Sequence, residues 1–231
     1  MPTSPPARTV PTRSWFARSW FARSWFAVTA VTVLAGLVLQ IVVTAGVTGG
    51  RFDSAGARVL NLLSYFTIQS NLLVGATSLL LALRPDRRST VFRTLRLDGV
   101  VAIAVTGVVF RVAIAPYQEL TGGAAVADLL LHTASPVLCV LGWMLFGPRT
   151  PLTRRIVGLA VIFPLCWLAF TLVRGALDDF YPYTFVDVAE LGYAAVLRAC
   201  LLIAVLFLAL AGGAAALDRR LARRSAAAAT V

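Results

Sequence analysis

The chain has 231 residues, of which 59% are hydrophobic and 13% charged, and its mean hydropathy is +0.83. A soluble domain carries about 25% charged residues, so this composition excludes an ordinary water-facing globule. The formal net charge of +11 comes from arginine alone, and sixteen of the 21 arginines fall in four blocks between apolar runs. That distribution is a membrane pattern, which removes nucleic acid as the reason for the basic balance.

Residues 1–24 read as an N-terminal tail. Its first 13 residues are rich in Pro, Thr and Arg and have no hydrophobic period, so they are expected to be disordered. Ser-Trp-Phe-Ala-Arg then occurs at 14–18 and again at 19–23, before Ser24-Trp25-Phe26-Ala27. A five-residue period matches neither a helix face nor a strand. The segment reads as a duplicated anchor, with tryptophan and arginine at the headgroup level. No cleavage site follows it, so the first apolar run is expected to be a retained helix rather than a signal peptide.

Apolar runs follow at about 25–46, 59–83, 97–115, 124–146, 156–174 and 190–211, each close to the roughly 20 residues that cross a bilayer core. Pro164 predicts a kink in the fifth. Arg8, Arg13, Arg18 and Arg23 precede the first run; Arg84, Arg87, Arg88, Arg93 and Arg96 lie between the second and third. Arg149, Arg154 and Arg155 separate the fourth and fifth, and Arg219, Arg220, Arg223 and Arg224 follow the sixth. The alternate connections are poor in arginine. Only six spans place every cluster on one side, so the expected fold is an all-α transmembrane bundle over 25–211 with both termini cytoplasmic. A basic, Ala-rich cytoplasmic tail occupies 212–231.

Polar side chains inside spans are costly and point to function. If the second span enters the membrane near Arg58, Thr67 lies roughly 13 Å along it. His132 in the fourth span and Arg198 in the sixth come to a similar depth, with Arg111 near the same end of the third. Ser64, Thr67 and Asn71 repeat at helical spacing and share a face. Asp128 stands four residues before His132, positioned to orient it. Thr67 as nucleophile and His132 as general base would suit acyl transfer or ester hydrolysis. Asn71, Arg111 or Arg198 would then stabilise an oxyanion or hold a carboxylate. The same strip reads equally as interhelical glue or as the lining of a ligand or transport cavity.

The segment from Asp178 to Val188 is acidic and aromatic, with Pro182 setting a turn. It reads as an interfacial loop or as a lid that pairs Asp187 or Glu190 with Arg174, Arg111 or Arg198. Cys139, Cys166 and Cys200 lie in apolar runs without paired spacing and read as small buried hydrophobes. The lone histidine rules out a histidine-rich metal site in one subunit, and no cofactor is expected.

Tyr65-Phe66-Thr67-Ile68-Gln69-Ser70-Asn71-Leu72, Leu131-His132-Thr133-Ala134-Ser135-Pro136 and Tyr181-Pro182-Tyr183-Thr184-Phe185-Val186-Asp187 resemble, in order, the bacterial Pr6Pr family of six-span membrane proteins. More remotely the chain is similar to the eukaryotic androgen-induced membrane threonine hydrolases, which act on fatty acid esters of hydroxy fatty acids. That resemblance implies a catalytic pair at Thr67 and His132. It also implies a place in a bacterial cytoplasmic membrane and a membrane lipid or amphipathic small molecule as partner, without nucleic acid. The polar Gln69-Ser70-Asn71 departs from the more apolar eukaryotic pattern and leaves open a different substrate, or binding or transport without catalysis.

Overall fold

The computed structural model describes residues 13–87, 89–147 and 152–228, with side chains described between residues 19 and 221 of these. Residues 1–12 of the tail, with Arg8, and also Arg88 and Arg149 lie outside the described residues, as do the side chains of Arg13, Arg18, Arg223 and Arg224. The elements in order are α1 (Arg13–Gly46), α2 (Ala55–Asn61), α3 (Phe66–Leu83), α4 (Thr90–Val109) and α5 (Gly122–Leu129). They continue with α6 (Ser135–Phe146), α7 (Arg154–Ala160), α8 (Ile162–Asp178) and α9 (Val188–Ala228). No strand occurs among the described residues. Six helical stretches are long and apolar enough to cross a membrane: Ser19–Gly46, Phe66–Leu83, Thr90–Tyr117, Gly122–Phe146, Arg154–Asp178 and Val188–Leu221. The protein is therefore an all-α bundle of six spans.

The third span is the central post. Helix α4 packs against α3, α6, α7 and α9, while α1 closes the far side against α3, α5 and α6. Leu97, Val101 and Ile103 of α4 are fully buried with Val33, Val74 and Cys139. Large apolar side chains such as Leu34, Val42, Leu165, Val173, Leu201 and Leu202 instead face outward. In water that surface would be unstable, but against lipid tails it costs nothing.

Helix continues from both outer spans into the segments read as tails. Helix α1 runs unbroken through the Ser-Trp-Phe-Ala-Arg repeats from Arg13, and α9 extends to Ala228. Five residues advance a helix by roughly 140° beyond a full turn, so successive tryptophans need not share a face. Trp20 is 73% exposed. Trp25, by contrast, is a packing residue: its Nε1 donates to the Leu138 carbonyl at 2.9 Å. Its indole also lies where a β-carbon on Gly142 would overlap it, so α1 and α6 approach closely only because position 142 is glycine.

Proline shapes three spans. Pro164 has no N–H for the Ala160 carbonyl, and the fifth span breaks at Val161 between α7 and α8. The third and fourth spans widen into single π-helical segments, Phe110–Ile114 and Leu130–Ala134. Each is followed by proline at the same offset, Pro116 and Pro136. The ring denies a hydrogen bond to the carbonyl four residues back. The chain responds with i→i−5 bonds, Ala115 N–H to the Phe110 carbonyl and Ser135 N–H to the Leu130 carbonyl. π-Bulges of this kind concentrate at functional sites, and these two face each other. The Phe110 ring stacks on the His132 imidazole with centroids 3.8 Å apart and 13° between planes.

Candidate functional site

The second span differs from its hydropathy profile in a way that defines the site. The apolar run at 59–83 is not one helix. A short α2 and a 3₁₀ turn at Leu62–Ser64 end at extended Tyr65, and α3 starts at Phe66. Thr67 is therefore in the first turn of its helix rather than partway along it. Ser64 leaves the shared face and accepts a hydrogen bond from Arg174 in the preceding turn. The consequence is chemical: the Thr67 N–H is among the orphan donors of a helix start, free to bond outside the helix.

Thr67 is 8% exposed and its hydroxyl has two partners. His132 Nε2 lies 3.3 Å from Thr67 Oγ1, at the long edge of a hydrogen bond, as is common for catalytic pairs without substrate. On the other side of the imidazole, Nδ1 is 2.8 Å from Asp128 Oδ1. The carboxylate sits off the axis of the Nδ1–H bond, since the nitrogen lacks a well-directed hydrogen bond despite the short distance. It therefore acts mainly through its charge, which favours the Nδ1–H tautomer and leaves Nε2 as an acceptor toward Thr67. Acid, imidazole and hydroxyl are thus neighbours brought together from three elements, α5, the π-segment at 130–134 and α3.

The second partner of Thr67 is Tyr183, on the loop between the last two spans. Its hydroxyl oxygen accepts the Thr67 backbone N–H at 3.1 Å and lies 3.2 Å from Thr67 Oγ1. Burial pushes the Tyr183 phenol up to about 12, against the opposing pull of the Thr67 hydroxyl and amide. The loop is held in place by aromatic and cationic contacts. Tyr65 packs edge-on against Tyr183 and Phe180, the Arg174 guanidinium lies 4.5 Å over the Phe180 ring, and Arg51 donates to the Asp179 carbonyl at 3.1 Å. Nothing in the pattern of the loop singled out Tyr183 from Tyr181; only its docking onto a helix start does.

The remaining expected site residues divide. Asn71 is fully buried, but its amide donates to the Thr67 and Leu131 carbonyls at 2.9 and 3.2 Å. It ties α3 to the histidine segment and has no donor left for an oxyanion. Ser70 similarly joins α3 to Thr106 of α4 at 3.2 Å, and Gln69 binds the Leu63 carbonyl. The polar run after the threonine is thus structural. Arg111 lies at the exposed rim, where Nη2 donates to Thr133 Oγ1 at 2.6 Å. Arg198 is exposed on α9 with no hydrogen bond or ion pair to the site, because a matching depth does not fix which face a helix turns inward. Asp187 caps the start of α9 by accepting the Glu190 N–H at 3.0 Å; the expected pairing to arginine is made instead by Asp178 with Arg174. Of the cysteines only Cys139 is buried, while Cys166 is exposed and Cys200 intermediate.

Beside Thr67 a cavity of about 160 Å³ opens among α4, α8 and α9. Val161 and Pro164, at the break between α7 and α8, are part of its lining. Its walls are apolar, with Val109, Phe110, Leu165, Leu168, Ile203 and Phe207 prominent, and Thr67, Thr106 and Tyr183 supply the polar groups. From Val105 to Ile114 it follows α4 for roughly 13 Å at helical rise. An apolar cavity with Thr67 and Tyr183 in its wall suits a hydrocarbon chain that carries one polar group.

No protein-family model, curated protein or solved structure matches this chain.

Proposed function

We propose that the protein is an intramembrane hydrolase of lipid acyl esters, working from the outer half of a bacterial cytoplasmic membrane with its arginine-rich connections inside. The observation that carries this reading is Thr67 Oγ1, 3.3 Å from His132 Nε2, on a residue that lines the apolar cavity. The acyl chain lies in the cavity and brings its carbonyl to Thr67. Thr67 Oγ1 attacks the carbonyl carbon while its proton passes to His132 Nε2, and the charge of Asp128 favours the imidazolium. The ester C–O bond breaks, and the leaving alcohol takes that proton. Water then attacks the acyl-threonine, giving a proton to His132 and releasing the fatty acid. His132 finally returns the proton to Thr67. The partner is a membrane lipid or another amphipathic ester that reaches the site laterally.

The test is hydrolysis of p-nitrophenyl esters of increasing acyl length by the protein in lipid nanodiscs. Turnover should rise with chain length until the cavity is filled, survive in Thr67→Ser, and vanish in Thr67→Ala and His132→Ala. A protein that only binds or carries lipid would leave every ester intact. Equal turnover by wild type and Thr67→Ala would place any hydrolysis elsewhere.

A further inference from the structure

We infer that Tyr183 is a catalytic residue, the hydrogen-bond donor that receives the negative charge formed on the substrate carbonyl oxygen. The inference rests on the Thr67–His132 reading and adds to it the group that reading lacks. An acyl-transfer site needs donors aimed where the oxyanion develops. Of the donors expected from sequence, the Asn71 amide is spent on the Thr67 and Leu131 carbonyls, Arg111 lies at the exposed rim with Nη2 on Thr133, and Arg198 is exposed on α9.

The directions of the hydrogen bonds around Tyr183 follow by elimination. Thr67 N–H can only donate, so the phenol oxygen is its acceptor. With His132 in the Nδ1–H tautomer that the Asp128 charge favours, Nε2 is an acceptor and the Thr67 hydroxyl proton points to the imidazole. Only one arrangement then remains for the 3.2 Å contact between the two hydroxyls: Tyr183 donates to Thr67 Oγ1. Accepting an amide N–H polarises the phenol and strengthens it as a donor. The raised ionisation point, about 12, keeps that proton in place at any physiological pH.

The same geometry gives the proton somewhere to go. When Oγ1 bonds to the acyl carbon, it becomes an ester-type oxygen and a poor acceptor. The negative charge appears on the neighbouring oxygen of that same carbon. A small rotation of the Tyr183 O–H transfers its hydrogen bond from the nucleophile to the oxyanion, and no proton is lost. Tyr183 lines the cavity together with Thr67, so a carbonyl that reaches one reaches the other. The helix start contributes through the amide that holds the phenol in place.

The experiment is p-nitrophenyl ester turnover in nanodiscs by wild type, Tyr183→Phe, Phe180→Ala and a protein carrying ring-fluorinated tyrosine at position 183. Tyr183→Phe should lower kcat about 100-fold, in the range seen on removing an oxyanion donor, with KM within about twofold. Phe180→Ala loosens the same loop but keeps the hydroxyl, and should retain most of kcat. The fluorinated phenol keeps the shape while ionising earlier, so the alkaline limb of the kcat profile should move to lower pH. Wild-type kcat in Tyr183→Phe overturns the inference, as does an equal fall in Phe180→Ala or an unmoved alkaline limb. If Thr67→Ala also keeps wild-type turnover, the underlying reading fails with it; if Thr67→Ala is inactive, only the role of Tyr183 falls.

Discussion

Two buried polar layers lie in this bundle, and they are built differently. At the arginine-poor end, Thr67, His132, Asp128 and Tyr183 form a cluster beside an apolar cavity. At the arginine-rich end, Arg96 is 3% exposed, with Nη1 donating to Thr77 and Ser78 at 3.4 Å and to Cys139 Sγ at 3.7 Å, and its guanidinium 5.3 Å over Phe26. The space beside it, about 20 Å³, holds no more than a water. The second layer joins α3, α4 and α6 through Arg96 Nη1 and reaches α1 through the Phe26 ring, while Arg96 Nε and Nη2 are buried without a hydrogen bond. The first lies beside a space large enough for a substrate. Burial of polar residues in a membrane protein is thus not by itself a sign of chemistry; the adjacent cavity is what separates the two layers.

The contrast breaks most sharply by substitution in each layer. Thr67→Ala should abolish ester turnover, by at least about 10³-fold, without lowering the thermal midpoint in detergent. Arg96→Ala should do the reverse. It leaves a cavity and orphaned hydroxyls, at a cost of about 2–4 kcal/mol of stability, with turnover per folded molecule within about threefold of wild type. A large loss of turnover in well-folded Arg96→Ala would join the two layers into one functional unit.

Within the Thr67 layer the expected effects grade downward. Asp128→Asn keeps the shape but removes the charge that favours the Nδ1–H tautomer, and kcat should fall by about 100-fold, less than in triads whose carboxylate is aligned and fully buried. Stopped ester assays at several pH values check this, and an unchanged rate would make Asp128 a bystander. Gly175→Ala should cost about tenfold, since a methyl there overlaps the Tyr181 ring and must shift the loop that carries Tyr183.

The smallest effect is on titration. A free tyrosine ionises near 10, whereas Tyr183 ionises at about 12. Its folded value is raised, so the docked loop is fully stabilised below about pH 10 and loses that stabilisation as pH climbs towards 12. Tyrosinate absorbance of wild type minus Tyr183→Phe should show a single group titrating at the top of this window. A difference titrating near 10 would mean an undocked tyrosine.

Much of this was legible in the sequence. Six apolar runs and alternating arginine blocks gave the six spans, and the Pro164 kink appears as the break at Val161. Thr67 and His132 were found by polarity and depth, and they do meet. A depth counted along the second span holds only if that span is unbroken, and hydropathy cannot see a turn made of Leu62, Leu63 and Ser64. Arg96 was counted as a loop residue because a helix that starts at Thr90, capped by Ser89, carries its first turns through the arginine block. Arg198 shows the complementary limit, since depth alone leaves rotation about the helix axis free. Tyr183 needed the docked loop itself. One signal was present and unread: Pro116 and Pro136, each six residues after the start of a π-segment, flank the two places where the spans widen around His132.

The central claim is that Thr67 is a nucleophile activated by His132. The most direct measurement is labelling of the nanodisc-embedded protein with a lipid-like alkyl phosphonate that reacts with activated hydroxyls, followed by peptide mapping. The account expects a covalent adduct on Thr67, lost in His132→Ala and kept in Arg96→Ala. Labelling at another residue, or undiminished labelling of Thr67 without His132, would contradict it.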